Sequence, residues 1–176
     1  MLLLALGIKL YFFLEDRAGG EQAQQIMEQL AIAAPPRASE DSATKEDDSA
    51  SMDYNVAGVL SIPTLALTLP VLSQCTDELL KVSVCLYGGN VTNPPQRLII
   101  AGHDYKSHFG NIPEMALGNE IRFTSLDGIE TTYHITEITA ISESDFEGLE
   151  QGDWDITLFT CDFIGNKRIL VRGCIK

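Results

Sequence analysis

The sequence predicts an all-β domain, either a sandwich or a closed barrel, behind an apolar N-terminal run and an acidic linker. Three observations carry this expectation. Between Tyr54 and Lys176, short β-branched runs alternate with Gly, Pro, Asn and Asp. Stretches with helical spacing are scarce in the same region. Hydrophobic residues make up 45% of the chain and aromatics only 7%, enough for a core built mainly of aliphatic side chains.

The 176 residues allow one domain with a tail, since single domains usually run ~100–200 residues. Met1–Leu14 reads MLLLALGIKLYFFL, apolar except for Lys9, and is shorter than the ~20 residues a spanning helix needs. Two readings stand: the trailing part of a membrane anchor, or a signal-peptide hydrophobic region or buried helix. Glu15, Asp16 and Arg17 follow where a small-residue cleavage site belongs, which favours retention, so residues 1–17 are read as a partial anchor. After Gly19 and Gly20, Ile26, Met27 and Leu30 form a thin apolar stripe on a polar helix, read as a juxtamembrane spacer. Pro35–Asp53 holds six carboxylates, two basic residues and no large apolar side chain except Met52. Such a stretch cannot bury enough surface to order itself. Residues 18–53 are therefore expected to be a spacer and disordered acidic linker holding the domain, residues 54–176, away from a membrane.

Within the domain the strand-like runs are VAGVLSIP, LALTLPVL, RLIIAG, EIRFTSL, ETTYHITEITAIS, WDITLFTC and RILVRGCI. Asp127-Gly128 between two of them marks a tight hairpin, because both residues tolerate positive φ. Thr76–Leu80 and Ile112–Leu117 are the short helix candidates.

Charge and cysteine content exclude several functions. Twelve basic against 25 acidic residues give a formal net charge of −13, which repels phosphate backbones, so no nucleic-acid partner is expected. The four cysteines, Cys75, Cys85, Cys161 and Cys174, form no CxxC pair and no His/Cys cluster at zinc spacing.

Three ionisable side chains fall at positions suited to chemistry. Strand parity puts Thr157, Phe159 and Cys161 on one face and leaves the thiol at a strand tip. Arg168 opens the next run after a turn-prone connection, so an antiparallel hairpin brings it near that thiol. His103 follows Gly102 on a loop. A thiol must ionise to attack a carbonyl, a neighbouring cation favours the thiolate, and an imidazole can give a proton to a leaving amine.

The string TLFTC, Thr157–Cys161, resembles the T-L-x-T-C signature of sortases, membrane-anchored cysteine transpeptidases of Gram-positive surfaces. Ile62–Val71 resembles their paired first strands, Ala101–His103 the glycine–histidine motif, and Arg168–Val171 the active-site arginine strand. The resemblance covers roughly Tyr54 to Ile175. It implies a closed eight-stranded β-barrel with Cys161 as nucleophile, His103 as general acid/base and Arg168 as stabiliser of substrate and oxyanion. It further implies cleavage of an LPxTG-like sorting signal on surface proteins or pilins, through a thioacyl intermediate that passes to an amine of a cell-wall peptide or a pilin lysine. The catalytic domain would be extracellular on a single N-terminal membrane anchor, with no cofactor. Arg172, at the same parity, is the rival for the arginine role; His108 is expected on a solvated loop, His134 on a hairpin strand, and Asp162 facing solvent. Asn90-Val91-Thr92 fits a glycosylation tripeptide without implied function.

The connection SESDFEGLEQGD is too short for the long helix of class B members, and the linker lacks the Asp-Pro-aromatic lid of many pilus-building ones. A hydrolytic cysteine peptidase without transfer and a non-enzymatic surface β-barrel binding module are the competing functions.

Overall fold

The computed structural model describes residues 2–33, 54–92, 94–162 and 166–175. The elements run α1 (Leu2–Ala33), β1 (Val56–Ile62), β2 (Leu67–Leu72), α2 (Asp77–Leu80), β3 (Val84–Asn90), β4 (Gln96–Ala101), β5 (Glu120–Ser125), β6 (Glu130–Ser142), α3 (Phe146–Glu150), β7 (Ile156–Asp162) and β8 (Lys167–Ile175). The acidic stretch Pro35–Asp53 lies outside the described residues.

The eight strands close into a barrel in the order β1-β2-β3-β4-β7-β8-β6-β5, with β5 returning to β1. Closure leaves no free sheet edge for a stray strand to pair with. Seven of the strands coincide with the runs legible in the sequence. β3 does not, because Gly88 and Gly89 break its apolar pattern and its register with β4 shifts around Gly88. The Asp127-Gly128 turn joins β5 to β6 as expected, with Gly128 at φ 81° and its N–H donating to the Ser125 carbonyl. Thr76 caps α2 by accepting from the Leu79 N–H, whereas Ile112–Leu117 yields a single 3-10 turn at Ile112–Glu114.

Alternation along the strands sorts side chains into two layers. Ile156 and Leu158 of β7, Leu98 and Ile100 of β4 and Val171 of β8 point into the barrel and are fully buried. The opposite parity faces outward, and there Ala101, Phe159 and Leu170 form a second apolar patch covered by Leu149 of α3. The outer face of β4, β7 and β8 is thus partly roofed by a short helix, and the site described below lies at its margin.

The N-terminal helix departs from the expected spacer. α1 is continuous, and its second half packs on the barrel: Ala23 and Ile26 are buried, Ile26 against Leu72, Val82 and Cys85. Burying an isoleucine contributes about 2 kcal/mol. Gly19 and Gly20 let the helix come this close, since a Cβ on Gly19 would stand 2.5 Å from the Lys81 carbonyl and one on Gly20 3.0 Å from Ser107 Cβ. Each mid-helix glycine costs ~1 kcal/mol relative to alanine, so the close approach is what offsets it. Asp16 accepts from the Ser107 backbone N–H at 3.0 Å, and Ser107 Oγ donates to the Asp16 carbonyl. Among the described residues, no helix is long and apolar enough to cross a membrane. Leu10–Leu14, five apolar residues in succession, are each more than half exposed.

This docking also buries His108, which the sequence placed on a solvated loop. The ring is fully enclosed under Gly19, and neither nitrogen makes a well-formed hydrogen bond among the described residues. Burial pushes its pKa down from 6.5 to about 4, with His103 adding to the effect and Asp16 opposing it. Between those two values the unfolded chain binds a proton that the folded one refuses. Stability is therefore expected to fall as pH drops from 6.5 toward 4, by on the order of 3 kcal/mol, and to level off below. Thermal melts across that range should show the slope, and His108→Phe should flatten it.

Candidate active site

Three short segments bring the chemistry-bearing residues to one end of the outer face. β7 and β8 are antiparallel, and their register sets Cys161 directly opposite Arg168. β4 runs parallel to β7 with Ala101 paired to Phe159, and the Gly102 N–H donates to the Phe159 carbonyl at 3.0 Å. Continuing that register past the ladder brings His103 level with Cys161. Cys161 and Arg168 thus face each other across the hairpin, and the same outward parity, carried two residues past the end of β4, falls on His103. Glycine is required before the histidine because a Cβ on Gly102 would stand 2.6 Å from the Phe109 ring and 3.0 Å from Val84.

The His103 ring is half-buried and stacks on Tyr105, with centroids 4.8 Å apart and planes 24° apart. The Phe109 N–H donates to the His103 carbonyl, pinning the loop. Tyr105 Oη in turn donates to Glu15 of α1 at 3.2 Å, and Glu15 also faces Lys81 at 3.8 Å. The docked helix therefore supports the back of the histidine through Tyr105, which sequence reasoning missed because the two lie far apart in the chain.

Burial pushes the Cys161 thiol above the ordinary cysteine range; Arg168 pulls it down through charge and hydrogen bonding, while Glu143 and Asp104 push it further up. Burial likewise lowers the His103 imidazole, against an opposing pull from Asp104. Both directions favour a neutral thiol and a neutral imidazole at neutral pH. A neutral thiol must lose its proton to a base before or as the sulfur attacks a carbonyl.

Arg168 is held in an unusual way. Its Cζ lies 4.7 Å from the centroid of Phe146 and 5.8 Å from that of Phe159. Its Nε and Nη1 are buried and have no hydrogen-bond partner among the described residues. Arg172, the sequence's rival, sits opposite Thr157. Its guanidinium is occupied, donating to Glu137 at 2.9 Å and to the Gly148 carbonyl while lying over Trp154. It fastens α3 to the barrel wall. His134 is paired with Cys174 well along β6 from Ile141, the residue that faces Arg168. The Asp162 side chain lies outside the described residues. Asn90 accepts from the Thr92 N–H at 2.9 Å, a local turn.

Phe146 was also missed, being hidden in what reads as a connecting segment. The signal was Asp145, whose side chain accepts from the Gly148 N–H at 2.8 Å and starts α3. Along the same outer face, a hollow of about 370 Å³ is lined by Tyr87, Gly88, Gly89, Arg97, Ile99 and Glu150, and Tyr87 packs edge-on against Phe159. Among the described residues, no group of three or more His, Cys, Asp or Glu side chains is placed to hold a metal ion.

The family model of the Sortase domain matches residues 60–175. Sortase A of Bacillus anthracis is 29% identical over 131 residues, covering 70% of this chain and 62% of that protein, so the chain spans less than two thirds of this relative's length. Among solved structures, a sortase D5 transpeptidase of Clostridium perfringens is 25% identical with a TM-score of 0.58, over 69% of this chain and 79% of that one. Sortase C-1 of Actinomyces oris gives the same identity and TM-score over 69% and 75%. The fold likeness extends to C. perfringens sortase C solved with the C-terminal cell wall sorting motif, TM-score 0.59 at 19% identity, over 92% of this chain and 89% of that chain.

Proposed function

The chain belongs to the sortase family, and on that premise we propose that it is a cysteine transpeptidase acting on an LPxTG-like sorting signal. Cys161 attacks the threonine carbonyl carbon, its proton passing to His103. The tetrahedral oxyanion is met by N–H donors of Arg168 and by backbone amides. Collapse breaks the Thr–Gly C–N bond, the His103 proton goes to the departing amine, and a thioester on Cys161 remains. An amine then attacks that thioester, His103 takes the amine's proton and returns it to the departing sulfur, and the free thiol is restored. The acceptor is an amine of a cell-wall peptide or a pilin lysine, and the donors are surface proteins or pilins that carry the signal. C. perfringens sortase C was solved with a C-terminal cell wall sorting motif, which makes that class of peptide the one to test.

The observation that carries this reading is the pairing of Cys161 with Arg168 across β7 and β8, beside the parallel strand β4, which ends two residues before His103. We further propose that the chain works outside the cell at a membrane surface. The exposed apolar residues Leu10–Leu14 in the N-terminal half of α1 support that placement.

Incubation of the protein with an LPxTG peptide, with and without a peptide amine, followed by mass analysis of the products, tests the activity. The expected result is an amine-linked product that displaces the hydrolysed one as amine is added. Hydrolysis insensitive to amine would instead make the protein a peptidase, and an untouched peptide with an unmodified Cys161 would leave a binding module.

A further inference from the structure

We propose that Phe146 is a positioning residue: its ring covers the Arg168 guanidinium, holding the cation beside Cys161 while leaving its N–H groups to the substrate. The inference rests on the reading of Arg168 as the group that steadies the oxyanion. An arginine that must stand in one place is ordinarily fixed by a carboxylate, but a carboxylate occupies the fork of donors and cancels the charge. The ion pairs among the described residues engage Arg17, Lys81, Arg122 and Arg172, not Arg168. Besides its contact with the Cys161 thiol, what holds Arg168 is aromatic, with Phe146 at 4.7 Å and Phe159 at 5.8 Å. A ring face attracts a cation through its quadrupole and takes no N–H from it. That accounts for Nε and Nη1 being buried and yet unpaired among the described residues, a combination that costs stability unless something else uses those donors.

The ring is not there for the core. Phe146 is 52% exposed, whereas Leu149 in the same helix is buried among Ala101, Phe159 and Leu170. α3 is nonetheless fastened at several points. Asp145 caps its start, Arg172 donates to the Gly148 carbonyl, and Arg97 of β4 donates to the Glu150 carbonyl at 2.6 Å. Two strands thus grip the end of a one-turn helix whose first residue is the exposed ring, which fixes where that ring stands relative to Arg168.

The test compares Phe146→Leu and Phe146→Tyr with the parent, alone and in an Arg168→Ala background. Two readouts serve: kcat/KM on a sorting-signal peptide, and the pH profile of Cys161 alkylation by iodoacetamide without peptide. Phe146→Leu should lose about 3- to 30-fold in kcat/KM, the range of a cation–ring contact, and Phe146→Tyr should restore most of it. With Arg168 no longer held, the influences left on the thiol are burial, Glu143 and Asp104, all of which raise its pKa, so the alkylation profile should move to higher pH. In the Arg168→Ala background, Phe146→Leu should have no further effect on either readout. An undiminished effect there would mean that Phe146 acts on the substrate or the fold directly and would overturn the proposal, as would a Phe146→Leu enzyme indistinguishable from the parent. If Arg168→Ala alone kept full activity, the oxyanion reading itself would fall and take this one with it, a failure visible before any Phe146 variant is compared. The melting temperature of Phe146→Leu should stay near the parent's, given how exposed the ring is.

Discussion

Cys161→Ala is expected to lower turnover of a sorting-signal peptide by ~10⁴-fold or more, the usual consequence of deleting a covalent nucleophile. The fold should survive it. The thiol is only half-buried at the end of β7, its strand neighbours are held by ladder bonds to β8, and the inner core residues Ile156 and Leu158 are untouched. Melting temperature and the far-ultraviolet spectrum should therefore match the parent while activity vanishes. In the parent, intact mass after brief exposure to peptide should show one acyl adduct, and fragment mapping should put it on Cys161. Cys85 is fully enclosed, and its thiol is pushed far up by Cys75 and by burial, so it offers no competing thiolate. An adduct on Cys75, Cys85 or Cys174 would refute the assignment.

Arg168→Ala should cost ~10²–10³-fold in kcat/KM, the scale of removing one oxyanion donor from a buried site. Arg168→Lys should recover little, because a lysine ammonium lacks the planar fork of donors that the guanidinium presents. Arg172→Ala separates this from general damage. Its guanidinium is taken up by Glu137 and the Gly148 carbonyl, so its loss should lower stability by about 1–2 kcal/mol and leave most of kcat/KM in place. Kinetics and thermal melts on the three variants decide between the two arginines. If Arg172 proves essential and Arg168 dispensable, the cation that serves the chemistry is not the one facing Cys161.

Much of this was legible in the sequence, for identifiable reasons. Alternating β-branched runs report strands because one side of each must be buried, and parity alone put Cys161 and Arg168 on a shared face across a hairpin. Closure, strand order and the parallel contact that brings His103 alongside were not legible from parity, since they depend on pairings between residues distant in the chain. β3 was obscured by its glycines. α3, a single turn, was too short for periodicity to reveal, and with it went Phe146. His108 was misjudged and the contact of Glu15 with Tyr105 was missed, because nothing local to either says that a polar helix will lie across the loop 103–109.

The glycine pair of α1 changes how the protein's standing at a bilayer is to be pictured. The helix is held to the barrel from Glu15 and Asp16, through Tyr105 and Ser107, on to Gly19, directly after the exposed Leu14. The acidic segment 34–53 comes after this contact and only leads the chain back to β1. Were lipid to take up Leu10–Leu14, the barrel would stand on a mast and not swing on a cord. Its elevation would then be set by where α1 grips the barrel and would be indifferent to the length of the acidic segment.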